Sequence, residues 1–327
     1  MTSVAAWERR VGERSEMVVA SDSRLGGGEE WDACAKIFDI GRDDAVLAFA
    51  GHTWRALPLV FQAVATTRSY SGSSLRTLDL PQFAKHLESV LNVVLNEAKG
   101  PASKEPPHCE FLLAGWSWKK NAFCAYRYAF DRTAWRFVGI ASPQQLPQAL
   151  RAPGRGTIFT QIGDGGWRLQ GLLARDYNRG AISGPLGYHP LEYLYRQTKD
   201  ASLEEASVGG PIQMAKVYRS IRVEHFAVRT DDGLSISGRP VLAYEHLDVR
   251  AIERRDDGYW FTESMTAQIP ALGESLESLD EDDGKLPAPE LDADAGSNAS
   301  VSRESTSVAT SGSSFGSAPD DVKGELL

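Results

Sequence analysis

The chain has 327 residues, 42% hydrophobic and 24% charged, which supports a folded core and excludes collagen-like, mucin-like and wholly disordered classes. The formal net charge of −9 is unevenly held: residues 1–270 carry 32 Lys and Arg against 31 Asp and Glu, whereas residues 271–327 carry 3 against 13. A body at +1 excludes the broad positive field that steers proteins onto nucleic acid, and the acidity belongs to the tail.

The chain opens with two short apolar runs, Ser3 to Trp7 and Met17 to Ala20, around a charged turn containing Gly12, and so predicts a β-hairpin. A second strand pair is predicted at Lys36 to Ile40 and Ala45 to Ala50. Apolar residues at helical spacing predict helices over Thr53 to Thr66 and Leu80 to Ala98, the latter with Pro81 near its start. Strands return at Glu110 to Trp116, Ala122 to Phe130 and Ala134 to Gly139. Thr157 to Ile162 predicts another strand, followed by the turn Gly163 to Gly166 and a helix over Trp167 to Asn178. A further helix is expected from Pro190 to Lys199, then strands at Ile212 to Tyr218 and Ile221 to Val228, with short strands reaching Phe261.

Strands, two helices, strands, two helices and strands again point to sheets packed between helical layers, hence one α+β domain over residues 1–250. Residues 251–270 read as a short extension. Residues 271–327, rich in Ser, Gly, Asp, Glu and Ala, read as a disordered acidic tail, because such a segment buries too little apolar surface to offset its ordering entropy.

Cys34, Cys109 and Cys124 are too few and too scattered for a disulfide framework, and no CxxC or Cys/His cluster suggests zinc. No apolar run approaches the ~20 residues needed to cross a bilayer. The charges from Glu8 to Glu16 exclude a signal-peptide core, so a cytoplasmic protein, native at its N-terminus apart from Met1, is expected. Seven tryptophans, Trp31, Trp54, Trp116, Trp118, Trp135, Trp167 and Trp260, read as core or interface aromatics, since no basic stripe accompanies them.

Thr2 is the first chemical candidate. Removal of Met1 leaves a threonine whose hydroxyl is a nucleophile and whose α-amine, with an ordinary pKa of ~7.7 to 8.0, accepts the proton. A hairpin beginning at Thr2 returns Asp22, in Ala20-Ser-Asp-Ser-Arg24, beside it, and the next strand presents Lys36. A lysine there stabilises developing negative charge and lowers the amine's pKa, with Asp22 orienting it. Each residue also has a structural reading: Asp22 as a turn carboxylate, Lys36 as a strand-edge charge, and Gly26 to Gly28 as a loop.

With Thr2 followed by a strand, Ala20-Ser-Asp-Ser-Arg24, Lys36-Ile-Phe38, Ala48-Phe-Ala-Gly51, Ile162-Gly-Asp-Gly-Gly166 and Val208-Gly-Gly210 in this order, the chain resembles the proteasome β-subunit family and its bacterial N-terminal-nucleophile relatives over roughly residues 2–230. The resemblance implies a four-layer αββα sandwich and a threonine-type peptidase. In it Thr2 is nucleophile and base, Lys36 the tuning cation and Asp22 its acidic partner. Arg24 supports the loop, Gly51 supplies an oxyanion-hole N–H, and Thr53 lies near the specificity pocket. It further implies peptide substrates, a homo-oligomeric ring or spiral, an ATPase unfoldase partner, and neither metal nor organic cofactor.

The sequence departs from that pattern in its supporting positions. Asp164 stands where the family has the serine of a Gly-Ser-Gly turn, Glu205 or Glu204 takes the acidic position before the late Gly-Gly, and Val208 takes that of a serine. The Arg9 to Glu16 turn is longer than usual. These departures support an alternative, a catalytically inactive assembly or binding module, and an amidase acting on a non-peptide amide is a third possibility. His52 reads as structural or substrate-contacting.

Overall fold

The computed structural model describes residues 2–25, 30–100, 104–142, 158–200, 208–258 and 260–263. The expected tail, the Gly26 to Gly28 loop, and Glu204 and Glu205 lie outside the described residues.

Strand β1 (Val4–Val11) and β2 (Arg14–Ser21) form the hairpin. The charged stretch expected as a long turn is instead strand, with only Gly12 and Glu13 turning. The reason is cross-strand pairing: Arg9 lies opposite Glu16 in the ladder and pairs with it at 2.7 Å. Next come β3 (Ile37–Asp39) and β4 (Ala45–Gly51), then the helices α1 (Thr53–Ser69), α2 (Ser71–Ser74) and α3 (Leu80–Asn96). The meander β5 (Cys109–Ser117), β6 (Ala122–Asp131) and β7 (Arg136–Ala141) follows. After β8 (Phe159–Ile162), helix α4 spans Gly163–Asn178, so the glycine-rich turn expected before a helix is that helix's own first turn. Helix α5 (His189–Thr198) precedes β9 (Gln213–Tyr218) and β10 (Arg222–Thr230). The stretch beyond, partly expected as an extension, supplies β11 (Gly233–Ile236), β12 (Arg239–Pro240), β13 (Ala251–Arg254) and β14 (Trp260–Glu263).

The protein is α+β with two sheets. Among the described residues the larger has nine strands in the order β12-β11-β10-β9-β2-β1-β8, with β13 joined to β10 and β14 to β13. The β10–β13 pairing is parallel and the rest antiparallel, so this sheet is mixed. The smaller sheet runs β3-β4-β5-β6-β7.

Apolar residues gather in three clusters, and strand alternation explains them. Ala5, Trp7 and Val18 pack with Leu169 and Leu173 of α4 and Leu191 and Leu194 of α5. Leu47, Phe49, Phe111 and Leu113 pack with Leu59 and Val60 of α1 and Phe83 and Leu87 of α3. The intervening residues of the same strands, Val4, Ala6, Met17 and Val19 from the larger sheet and Val46, Ala48, Leu112 and Ala114 from the smaller, form the third cluster. Strands buried on both faces read as continuous apolar runs rather than alternations, which is how VAAW, MVVA and AVLAFA appear in the sequence. Among the described residues no helix is long and apolar enough to cross a membrane.

Candidate active site

The hairpin register brings the first two site residues together. Val4 opposes Ser21, so Ser3 falls opposite Asp22. The Asp22 N–H donates to the Ser3 carbonyl at 3.2 Å, and the Ser3 N–H donates to Asp22 Oδ1 at 2.9 Å. Asp22 is therefore held beside the residue that follows Thr2.

Lys36 arrives from the other sheet. It stands one residue before β3, its carbonyl accepting the Phe49 N–H at 3.2 Å and its own N–H donating to Gln213 Oε1 of β9 at 2.9 Å. Its ammonium donates to both Asp22 carboxylate oxygens at 3.0 Å and to Thr2 Oγ1 at 3.4 Å. Lys36 and Asp22 are fully buried, and Thr2 is 5% exposed. Burying such an ion pair is tolerated only when its remaining hydrogen-bonding capacity is satisfied. Here the Gly209 N–H adds a bond to Asp22 Oδ2 at 3.2 Å, and the three ammonium donors each have an acceptor. The pair joins the two sheets directly beneath the Thr2 hydroxyl. An ammonium in that position, shielded from water, favours negative charge on the threonine oxygen.

Thr2 lines a cleft of about 630 Å³ together with Gly51, His52, His108, Glu110 and Trp167. Two glycines let backbone close around it. Gly51 ends β4 with φ +99°, and a Cβ there would fall 2.2 Å from the His108 carbonyl oxygen; Gly163 opens α4 with φ +76°, where a Cβ would fall 2.2 Å from the Thr2 carbonyl oxygen. The chain of α4 then bonds back, its Gly165 N–H donating to the Thr2 carbonyl at 3.1 Å.

The remaining expected residues are placed as follows. Asp164, in the first turn of α4, lines the cleft and has no hydrogen-bond or ion-pair partner among the described residues. Arg24 lies in the loop after Asp22, donating to Asp32 at 2.6 and 3.0 Å, and those bonds hold the Asp32 carboxyl below the usual carboxylate range. Thr53 opens α1 and is not among the residues lining the cleft. Glu205 lies outside the described residues. His52 lines the cleft with its ring 5.3 Å from that of His108.

Several residues around the site escaped the sequence reading. Gln197 of α5, 3% exposed, accepts the Ser3 hydroxyl at 2.8 Å and donates to the Gly165 carbonyl at 3.0 Å, tying α5 to both segments that flank Thr2. Glu110 of β5 accepts the Gly163 N–H at 2.9 Å and pairs with Arg127 of β6, whose guanidinium lies over the Trp167 ring. Trp167, expected in the core or an interface, is 42% exposed at this cleft. Trp116 and Trp260 are buried, whereas Trp31, Trp54, Trp118 and Trp135 are exposed. The one signal for Glu110 and Arg127 was that each is a lone charge inside an otherwise apolar strand. Cys109, a second potential nucleophile on the cleft, has its thiol pushed up to about 12 by burial and stays protonated at neutral pH.

No family model matches the chain, and no curated protein matches it. Among solved structures it is similar to Anbu (ancestral beta-subunit) from Yersinia bercovieri, at 17% identity and a TM-score of 0.47, over 69% of this chain and 86% of that one. These findings overturn the expected membership of the proteasome β-subunit family and its bacterial peptidase type: no family model supports it, and the structural likeness is too distant to carry it. The expected ring or spiral and ATPase partner rest on that resemblance alone.

Proposed function

We propose that this chain is an N-terminal-threonine hydrolase that cleaves peptide amide bonds through an acyl ester on Thr2, once loss of Met1 frees the Thr2 α-amine. One observation carries the reading: a buried lysine, neutralised by a buried aspartate, bonds to the hydroxyl of a threonine that lines a cleft. An αββα stacking of the two sheets and their helices belongs to the same reading, and the three apolar clusters support it.

In this mechanism the α-amine takes the Thr2 Oγ1 proton as the oxygen attacks the amide carbonyl carbon. The Lys36 ammonium offsets the charge arising on Oγ1, and the Gly51 N–H faces the carbonyl oxygen as it becomes an oxyanion. Collapse breaks the C–N bond, and the leaving amine takes the proton from the α-ammonium. Water, deprotonated by the α-amine, then attacks the ester, releasing the acid and restoring Thr2.

A non-catalytic binding module is favoured by the departures at Asp164 and Val208. Asp164 lines the same cleft as Thr2, and a carboxylate brought near the amine holds it protonated and weakens it as a base. Two measurements separate the readings. The hydrolase reading expects protein isolated from its native host to lack Met1 by intact mass and to turn over acyl-peptide amides. Retained Met1 in that protein contradicts it.

A further inference from the structure

A second cleft, of about 790 Å³, lies at the far end of the β1–β2 hairpin. Arg9 stands seven residues beyond Thr2 along an extended chain, or about 23 Å away. The cleft is lined by Arg9, Arg14, Lys216 and Arg250, and by the aromatic residues Tyr188 and, on β14, Trp260.

Its charges do not cancel. Lys216, on β9, is 2% exposed; its ammonium donates to Tyr188 Oη at 2.7 Å, pairs with Glu16 at 3.1 Å and reaches Thr262 Oγ1 at 3.5 Å. Arg9 pairs with the same Glu16 at 2.7 Å and lies 3.9 Å over the Tyr188 ring. Two cations thus share one carboxylate. Arg250 is matched by Glu224 and adds no surplus. At the rim Arg219 donates to Asn121 at 3.4 Å and has no carboxylate partner among the described residues, and Arg14 has no hydrogen-bond or ion-pair partner among them. Positive charge held out of water without its counter-charge is costly, and an anion entering the cleft relieves that cost. Aromatic surface stands beside these cations: the half-buried Tyr188 packs on the same apolar cluster as Trp260, and both line the cleft. The volume falls within the range of small-molecule sites.

We propose that this cleft binds a small organic anion, a carboxylate or phosphate carried on an aromatic body, with Lys216 and Arg9 holding the anionic group and Tyr188 and Trp260 the ring. Of the three Lys216 contacts, the long one to Thr262 is the one an incoming anion replaces. The site is separate from Thr2 and does not rest on the hydrolase reading.

Titration calorimetry of the full chain tests it, with 2-naphthoate, phenyl phosphate, inorganic phosphate and the neutral 2-naphthylmethanol as probes. The expected result is saturable one-to-one binding of at least one aryl anion, with the neutral alcohol about tenfold weaker or more. Inorganic phosphate is expected to bind more weakly than phenyl phosphate, and whichever aryl anion binds tighter identifies the anionic group. Lys216→Met is expected to weaken binding about tenfold, and Arg14→Gln, at an exposed position that leaves the core untouched, about threefold. Equal affinity for the neutral alcohol, inorganic phosphate binding as tightly as the aryl anions, no binding of either aryl anion at millimolar concentration, or unchanged affinity in Arg14→Gln together with Lys216→Met would overturn the proposal.

Discussion

The two ends of the β1–β2 hairpin treat a buried lysine in opposite ways. At the Thr2 end Lys36 has a carboxylate to itself, and the pair's charges cancel below a hydroxyl. At the far end Lys216 shares Glu16 with Arg9, and positive charge is left over. A one-to-one pair is a fixed electrostatic support for chemistry at a neighbouring group, whereas a surplus calls for a partner from outside. The same residue type, at similar burial, therefore has different work at each end, decided by how many cations divide each carboxylate.

Removing each lysine breaks the comparison most sharply. Lys36→Met strands Asp22 as a buried, uncompensated carboxylate, and the expected loss is about 3–5 kcal/mol of stability, read by denaturant unfolding. Next in size is Gln197→Leu, which leaves the Ser3 hydroxyl and the Gly165 carbonyl without their buried partner. It is expected to cost about 1–3 kcal/mol and to slow hydrolysis by displacing the segments around Thr2. Lys216→Met leaves Glu16 still paired with Arg9, so its expected cost is about 1 kcal/mol or less. A loss as large as that of Lys36→Met would show that the far end is balanced after all. The smallest effect belongs to Cys109→Ser: because burial keeps that thiol protonated, activity should be unchanged, and iodoacetamide at pH 8 should leave Cys109 unmodified in the native protein.

The sequence-to-structure relation differs between local and distant features. Strand and helix order was legible because strands covered on both faces leave long apolar runs, and because α3 shows its apolar face at helical spacing with Pro81 at its start. Thr2, Asp22 and Lys36 were legible as a group because one hairpin and the next strand suffice to bring them together. The β1–β2 turn was misjudged, since Arg9 and Glu16 look like loop residues until they are seen opposite one another. Gly163 to Gly166 looked like a turn because glycines signal breaks, yet here they let a helix start against the Thr2 carbonyl. Gln197 left no local mark: its partner Ser3 is 194 residues away, and only the packing of α5 against the larger sheet joins them. The shared use of Glu16 was hidden for the same reason, because Arg9 and Lys216 come from separate strands, β1 and β9, on either side of β2.

The hydrolase reading depends on one atom, the Thr2 hydroxyl oxygen, acting as nucleophile beside a free α-amine. Treating the full chain and its Thr2→Ala variant with a peptide epoxyketone, then mapping the adduct by mass spectrometry, tests that most directly. The account predicts a single adduct on Thr2 and none in Thr2→Ala, with the variant still folded by thermal melt; equal labelling of the two proteins, or an adduct at another residue, would contradict it.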